Sequence, residues 1–237
     1  MRNEIRSVNL DTSPTLYETR HFGEEREPII VIDNFCGHLA ALVSAGRSKR
    51  YAPAQGYPGI RAPIDPRSFV ENMARSSLLA SAIRREFGAT QIQFESCSFS
   101  IVTLQPEELS PGQRIPHFDE AGAHVVAFVH YLDTPSDSGT AFYRHRRTGF
   151  ETITPERLDI YNDSKLADDE EYGPPPMAYQ TGDTPSYERI GSVEAAPDRL
   201  IAYRGRQLHS GDIIVAPPKT NVQAEGRLTI TGFLLLK

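Results

Sequence analysis

At 237 residues the chain is long enough for one domain with a well-buried core, a size that all-β barrels and sandwiches commonly reach. Its formal charge of -6, from 25 basic and 31 acidic residues with the Lys and Arg scattered, excludes the basic stripe of a nucleic-acid groove. No apolar segment approaches a membrane span, the opening MRNEIRSVNLDTSP lacks the apolar core of a secretory leader, and Cys36 and Cys97 are too few for a disulfide framework, so a soluble cytoplasmic protein with two buried thiols is expected.

The run Ile29 to Phe35, β-branched and bounded by Pro28 and Gly37, predicts a buried strand, and residues 38–46 predict a short helix. Residues 51–66, rich in proline and glycine, predict an irregular loop with no regular ladder. Ser68 is placed to cap a helix that runs to about Phe87, with Phe69, Met73, Leu79 and Ile83 on its apolar side and Gly88 as its stop. From Gln91 the pattern turns to strands, with further strands predicted over 124–132, 139–143, 199–204, 211–216 and 227–236. The segment 155–193 carries Asp168-Asp169-Glu170-Glu171 and Gly173-Pro174-Pro175-Pro176 with few apolar residues, which predicts a long surface excursion. Helices confined to the region 28–88, followed by short strands with turn chemistry between them, predict an antiparallel β-sandwich or barrel as the core over 91–237.

His117-Phe118-Asp119 stands out within that core. Residues two apart on a strand project to one face, so an imidazole and a carboxylate can reach one point while Phe118 turns away. A facial iron site takes two imidazoles and one carboxylate and keeps three positions open, so a second histidine is needed. His21 and His38 lie in the N-terminal part, His124 and His130 are as well placed to pack in the sheet, and His145 sits among Arg144, Arg146 and Arg147, a poor place for a cation unless acidic groups compensate. His209, between a strand ending near Arg204 and the apolar Ile213-Ile214-Val215, is a plausible third ligand.

The order of motifs around these residues resembles the iron(II)- and 2-oxoglutarate-dependent dioxygenases, in particular the prolyl-hydroxylase-like branch. Ile30-Val31-Ile32-Asp33-Asn34-Phe35 looks like that family's opening strand, and Pro111-Gly112-Gln113 before Pro116-His117-Phe118-Asp119 like its glycine turn and HxD strand. Tyr131-Leu132-Asp133 with Ser138-Gly139-Thr140-Ala141-Phe142 is similar to its hairpin, Leu208-His209-Ser210-Gly211 to its distal-histidine motif, and Gly226-Arg227-Leu228-Thr229 through Phe233 to its closing strand. Together these matches span about 28 to 236, apart from the 155–193 insert.

The resemblance implies a double-stranded β-helix, a jelly roll of the cupin kind with flanking helices. It implies that His117, Asp119 and His209 bind Fe(II), and that Arg227 pairs with the distal carboxylate of 2-oxoglutarate, with Thr229 beside it. Lys219, ten residues after His209, is the competing anchor, but Pro217-Pro218 puts it in a turn and Arg227 is preferred. A tyrosine common in the family near Thr103 or Leu104 is missing, and Tyr131 or Thr140 is the expected substitute. The implied reaction consumes 2-oxoglutarate and O2, releases succinate and CO2, and oxidises a C–H bond of a small molecule or peptide, most simply by hydroxylation. Arg144, Arg146 and, more weakly, Arg61 are candidate contacts for an anionic substrate. The alternative is a cupin-like metal-binding protein that does not use 2-oxoglutarate, and Arg227 is the residue that distinguishes the two.

Overall fold

The structure, a computed structural model, describes residues 17–135 and 137–237, so the opening segment MRNEIRSVNLDTSP lies outside the described residues. Alternation along the chain decides its architecture. Ile30 and Ile32 pack in one apolar cluster with Phe99, Phe128, Ala202 and Ile230, whereas Ile29 and Val31 pack in another with Ala127, Tyr131, Phe142 and Tyr203. Neighbours one residue apart thus serve opposite faces of a sheet covered on both sides.

The strands are β1 (Tyr17–His21), β2 (Pro28–Ile32), β3 (Ala52–Pro53), β4 (Gly59–Pro63), β5 (Ile92–Val102), β6 (Val125–Asp133), β7 (Ser138–His145), β8 (Tyr187–Glu194), β9 (Arg199–Arg204), β10 (His209–Ile213) and β11 (Leu228–Leu236). Eight of them form one sheet in the order β1-β2-β9-β6-β11-β5-β4-β3, and three form a second, β10-β7-β8, with every pairing antiparallel. Helices α1 (Leu39–Arg47), α2 (Pro66–Asn72) and α3 (Ser76–Phe87) pack outside the large sheet, where Phe69, Leu79, Ile83 and Phe87 join its outer apolar cluster. Helix α4 (Leu158–Tyr172) packs on the small sheet, and a single turn, α5 (Val222–Glu225), precedes β11. This is the jelly roll expected from the sequence. No helix among the described residues is long and apolar enough to cross a membrane.

Three sequence expectations are corrected. The predicted helix from Ser68 to Phe87 is two helices broken at Met73, and its cap is Asp65, whose carboxylate accepts the Ser68 N–H at 2.9 Å with Pro66 starting the first turn. Residues 51–66 are not free of ladder structure, because Gly59–Pro63 pairs with Ser98–Val102 at the edge of the large sheet.

The third correction concerns 155–193, which is no surface excursion. It supplies α4 and most of β8. Apolar periodicity misses α4 because Ile160 and Leu166 point to solvent, and the helix docks instead through Tyr161, buried among Ala141, Tyr143, Ile153 and Leu208, and through Asp168. That carboxylate takes His145 Nε2 at 2.9 Å and Arg147 Nε at 2.5 Å, so the acid that His145 needed comes from this helix. Tyr161→Ala is expected to cost about 3 kcal/mol through the cavity it leaves, read as a lower urea midpoint at unchanged m-value.

Candidate metal centre

His117 and His209 meet across an isolated antiparallel bridge, each N–H donating to the other's carbonyl at 2.9 and 2.8 Å. The next anchor is Asp119, whose N–H donates to Gly205 O at 2.7 Å. The HxD segment is therefore an extended strip held against 205–209 rather than a ladder strand. Gly205 permits this approach, since a Cβ there would stand 3.3 Å from both Asp119 Cβ and Val125 Cγ1, tight enough to push the carboxylate aside.

The strip brings the three donors together as expected. Asp119 Oδ1 lies 3.9 Å from His117 Nε2, and Asp119 Oδ2 lies 3.6 Å from His209 Nε2. Adjacent donors about 2 Å from one ion lie about 3 Å apart, so the side chains need to close by less than about 1 Å to share it. His209 is oriented on its far side, where Nδ1–H donates to Gln207 O at 2.9 Å and leaves the Nε2 lone pair facing the cluster. The Tyr203 ring packs edge-on against it at 4.8 Å.

Burial sets the charge states. It pushes His209 down to about 4, with the Gln207 hydrogen bond opposing. His117, more open to solvent, moves in the same direction through partial enclosure and repulsion from His209. Burial raises Asp119 to about 6, against the pull of His117 and Arg61. Near neutral pH the cluster is two neutral imidazoles and one carboxylate, the protonation state a divalent ion needs.

Beside the cluster, one row of residues crosses the large sheet. Arg61 pairs with Ser100, Ser100 with Thr229, and Thr229 with Tyr131, so all four side chains share the face turned toward the small sheet. Arg227 leans over the Tyr131 ring at 5.5 Å and, among the described residues, donates to Gly139 O at 3.3 Å while its buried Nε finds no acceptor. Thr229 makes one long contact to Ser100 O, 3.4 Å, and Tyr131 is satisfied by Thr140 at 2.7 Å. Lys219, by contrast, lies exposed in the turn after Pro218 and contributes nothing to this row.

Sequence reasoning missed Tyr57. Its buried hydroxyl has no partner of good hydrogen-bond geometry among the described residues, Thr229 stands near enough to interact with it weakly, and its titration is pushed up by burial against the opposing charges of Arg227 and then Arg61. The available clue was the alternation Gly59-Ile60-Arg61-Ala62, a strand pattern masked by four flanking prolines.

Two of the substrate candidates are engaged elsewhere. Arg144 pairs with Glu151 at 2.5 Å and with Glu188 at 3.2 Å, and Arg146 pairs with Asp183 at 2.9 Å, so both guanidiniums meet carboxylates of their own chain. A second trio, Cys36, His130 and Asp198, also holds its potential donor atoms within 4.8 Å. Its groups serve one another: Asp198 accepts His130 Nε2 at 2.7 Å and the Cys36 N–H at 2.9 Å, while Asp198 O accepts the Phe35 N–H at 2.9 Å. We read it as a polar clasp fastening the loop after β2 to β6.

The profile of the family of unknown function DUF6445 matches residues 14–234. No curated protein matches the sequence. Among solved structures the fold is similar to SnoN, a non-heme alpha ketoglutarate dependent epimerase from nogalamycin biosynthesis, with a TM-score of 0.50 and 13% identity over 89% of this chain and 79% of that one. HygX from Streptomyces hygroscopicus, solved with nickel and 2-oxoglutarate, scores 0.48 at 10% identity, over 90% of this chain and 84% of its own. At these identities the likeness is one of fold.

Proposed function

The chain belongs to the family of unknown function DUF6445, and we propose that it is a non-haem iron(II) oxygenase that couples decarboxylation of 2-oxoglutarate to oxidation of an organic substrate. One observation carries this reading: near a two-histidine, one-carboxylate cluster, a buried arginine Nε and a buried tyrosine hydroxyl have no hydrogen-bond acceptor or donor of good geometry among the described residues. Unsatisfied buried donors of this kind fit a ligand carboxylate, and a guanidinium accepts one in bidentate fashion. When bound, iron(II) with 2-oxoglutarate and O2 supplies the oxidising chemistry, which is the metal's own.

The chain's residues have separate tasks in this scheme. His117, Asp119 and His209 would hold the ion, and Gln207 would keep His209 in the ligating tautomer. Arg227, Thr229 and Tyr57 would receive the distal carboxylate of 2-oxoglutarate, with Tyr57 in the part expected of Tyr131. Tyr203 and Tyr131 would exclude water from the wall between them. The order of motifs favours the prolyl-hydroxylase-like branch, hydroxylation of a small molecule or peptide is the simplest outcome, and the retained carboxylate of Asp119 agrees with it.

The test is an anaerobic titration of the metal-free protein with iron(II) and 2-oxoglutarate. A weak visible charge-transfer band is expected, and admitting O2 should yield succinate. Iron uptake with neither band nor succinate would instead establish a cupin-like metal protein.

Acid should release the metal through one group. As pH falls through about 6, Asp119 gains a proton while His209 stays neutral to about 4, so iron(II) affinity should be level above this window and fall about tenfold per unit below it. Equilibrium dialysis across pH 5 to 7.5 checks this, and an affinity flat to pH 5 would contradict it.

A further inference from the structure

Arg61 is a cation near the metal cluster that the proposed cofactors leave unused. Its guanidinium lies over the Tyr57 ring at 4.3 Å, its Nε is buried without an acceptor, and it makes no ion pair with any carboxylate among the described residues. Burial pulls its pKa down, with Tyr57 and Asp119 opposing, which places it within electrostatic reach of the metal ligand. Tyr57 stands between the two arginines and feels the charge of both.

Charge matching then decides what Arg61 awaits. Iron(II), Asp119, Arg227 and Arg61 together carry three positive charges, of which the two carboxylates of 2-oxoglutarate offset two, and the carboxylate that faces Arg61, Asp119, is the one that would bind the ion. Asp212, a further carboxylate whose charge reaches Tyr131, is already paired with Arg189 at 2.6 Å. Once Asp119 holds the ion, its charge no longer offsets Arg61, which is then a partly buried cation beside the metal, a costly state unless a bound anion offsets it. The neighbouring arginines that could have met an acidic substrate, Arg144 and Arg146, are neutralised by their own glutamates and aspartate, whereas Arg61 is not.

We propose that the substrate is an anion, and that Arg61 receives its carboxylate or phosphate group on the metal side of Tyr57. This inference rests on the oxygenase reading above. The substrate's acidic group would dock on the planar fork of Arg61, and the substrate's C–H bond would thereby be set at a fixed distance from the ion. A neutral substrate would leave the cation buried and unpaired, so the same residue would select against it.

The experiment uses the full chain loaded with redox-inert nickel(II) and labelled 2-oxoglutarate, in the wild type and in Arg61→Gln and Arg61→Lys. Equilibrium dialysis first measures 2-oxoglutarate retention, then the saturable binding of labelled inorganic phosphate and, separately, of labelled acetate. The expected result is 2-oxoglutarate retention within about threefold in all three proteins, with the preferred anion bound about tenfold more weakly by Arg61→Gln and to an intermediate degree by Arg61→Lys, which keeps the charge and loses the fork. Preference for phosphate or for acetate tells which oxyanion the substrate carries. Equal anion binding by wild type and Arg61→Gln would assign the anion to the metal and overturn the proposal, as would the absence of saturable binding of either anion to wild type. If Arg61→Gln instead loses 2-oxoglutarate, Arg61 belongs to the cosubstrate site and the proposal fails while the oxygenase reading stands. A wild type that retains no 2-oxoglutarate would sink both.

Discussion

His209→Ala is expected to lose iron(II) affinity by more than about a hundredfold, the size of effect already produced by changes one shell further out. The reason is geometric. Of the two imidazoles, His209 is the buried one, fixed by Gln207 O behind and Tyr203 beside it, so no water or neighbouring side chain can take up its position. Removing it leaves His117 and Asp119 as a pair at the mouth of the pocket, a chelate too small to retain an ion against dialysis. The companion measurement is on His130→Ala, which breaks the other His/Asp cluster. That variant should bind iron(II) at unchanged stoichiometry and unfold at lower urea, by about 3 kcal/mol, because the buried Asp198 carboxylate would lose the imidazole N–H that donates to it. Loss of metal from His130→Ala, and not from His209→Ala, would exchange the roles of the two clusters.

The contrast between the clusters also shows what the sequence made legible. His117 and Asp119 were readable because their convergence is local, two residues apart on extended chain, and His209 followed from its place at the opening of a strand. Nothing local ties Asp198 to His130, 68 residues away, so that clasp was invisible although its geometry is as tight. Helix α4 was missed for a related reason. Its docking depends on Asp168 meeting His145 and Arg147 from β7 and the turn beyond it, and an acidic stretch gives no apolar period to read. Pairing of this kind explains why the basic run 144–147 looked like an anion site: apart from Glu151, its acids, Asp168, Asp183 and Glu188, come from far along the chain. Tyr57 was hidden in the opposite way, and Arg61 was read only as a weak substrate contact, since prolines announced a loop and the ladder with β5 that places Arg61 on the inner face is non-local.

Arg227→Ala should separate metal binding from cosubstrate binding. Iron(II) affinity is expected to stay within about twofold of wild type, because Arg227 contacts none of the three donors, while the 2-oxoglutarate concentration needed for half of the charge-transfer band should rise roughly a hundredfold, matching about 3 kcal/mol for a charged, bidentate contact in a buried site. Arg227→Lys keeps the charge without the planar fork and should recover part of the loss. Tyr57→Phe removes one neutral donor and should cost about fivefold, near 1 kcal/mol. Lys219→Ala, at an exposed turn, should change nothing. A large effect at Lys219 with none at Arg227 would move the anchor to the other residue and require the 217–220 turn to fold over the pocket. A flat response at both would leave the buried Arg227 Nε serving only the packing of Tyr131 and Gly139, and the metal cluster would then have to be explained without 2-oxoglutarate.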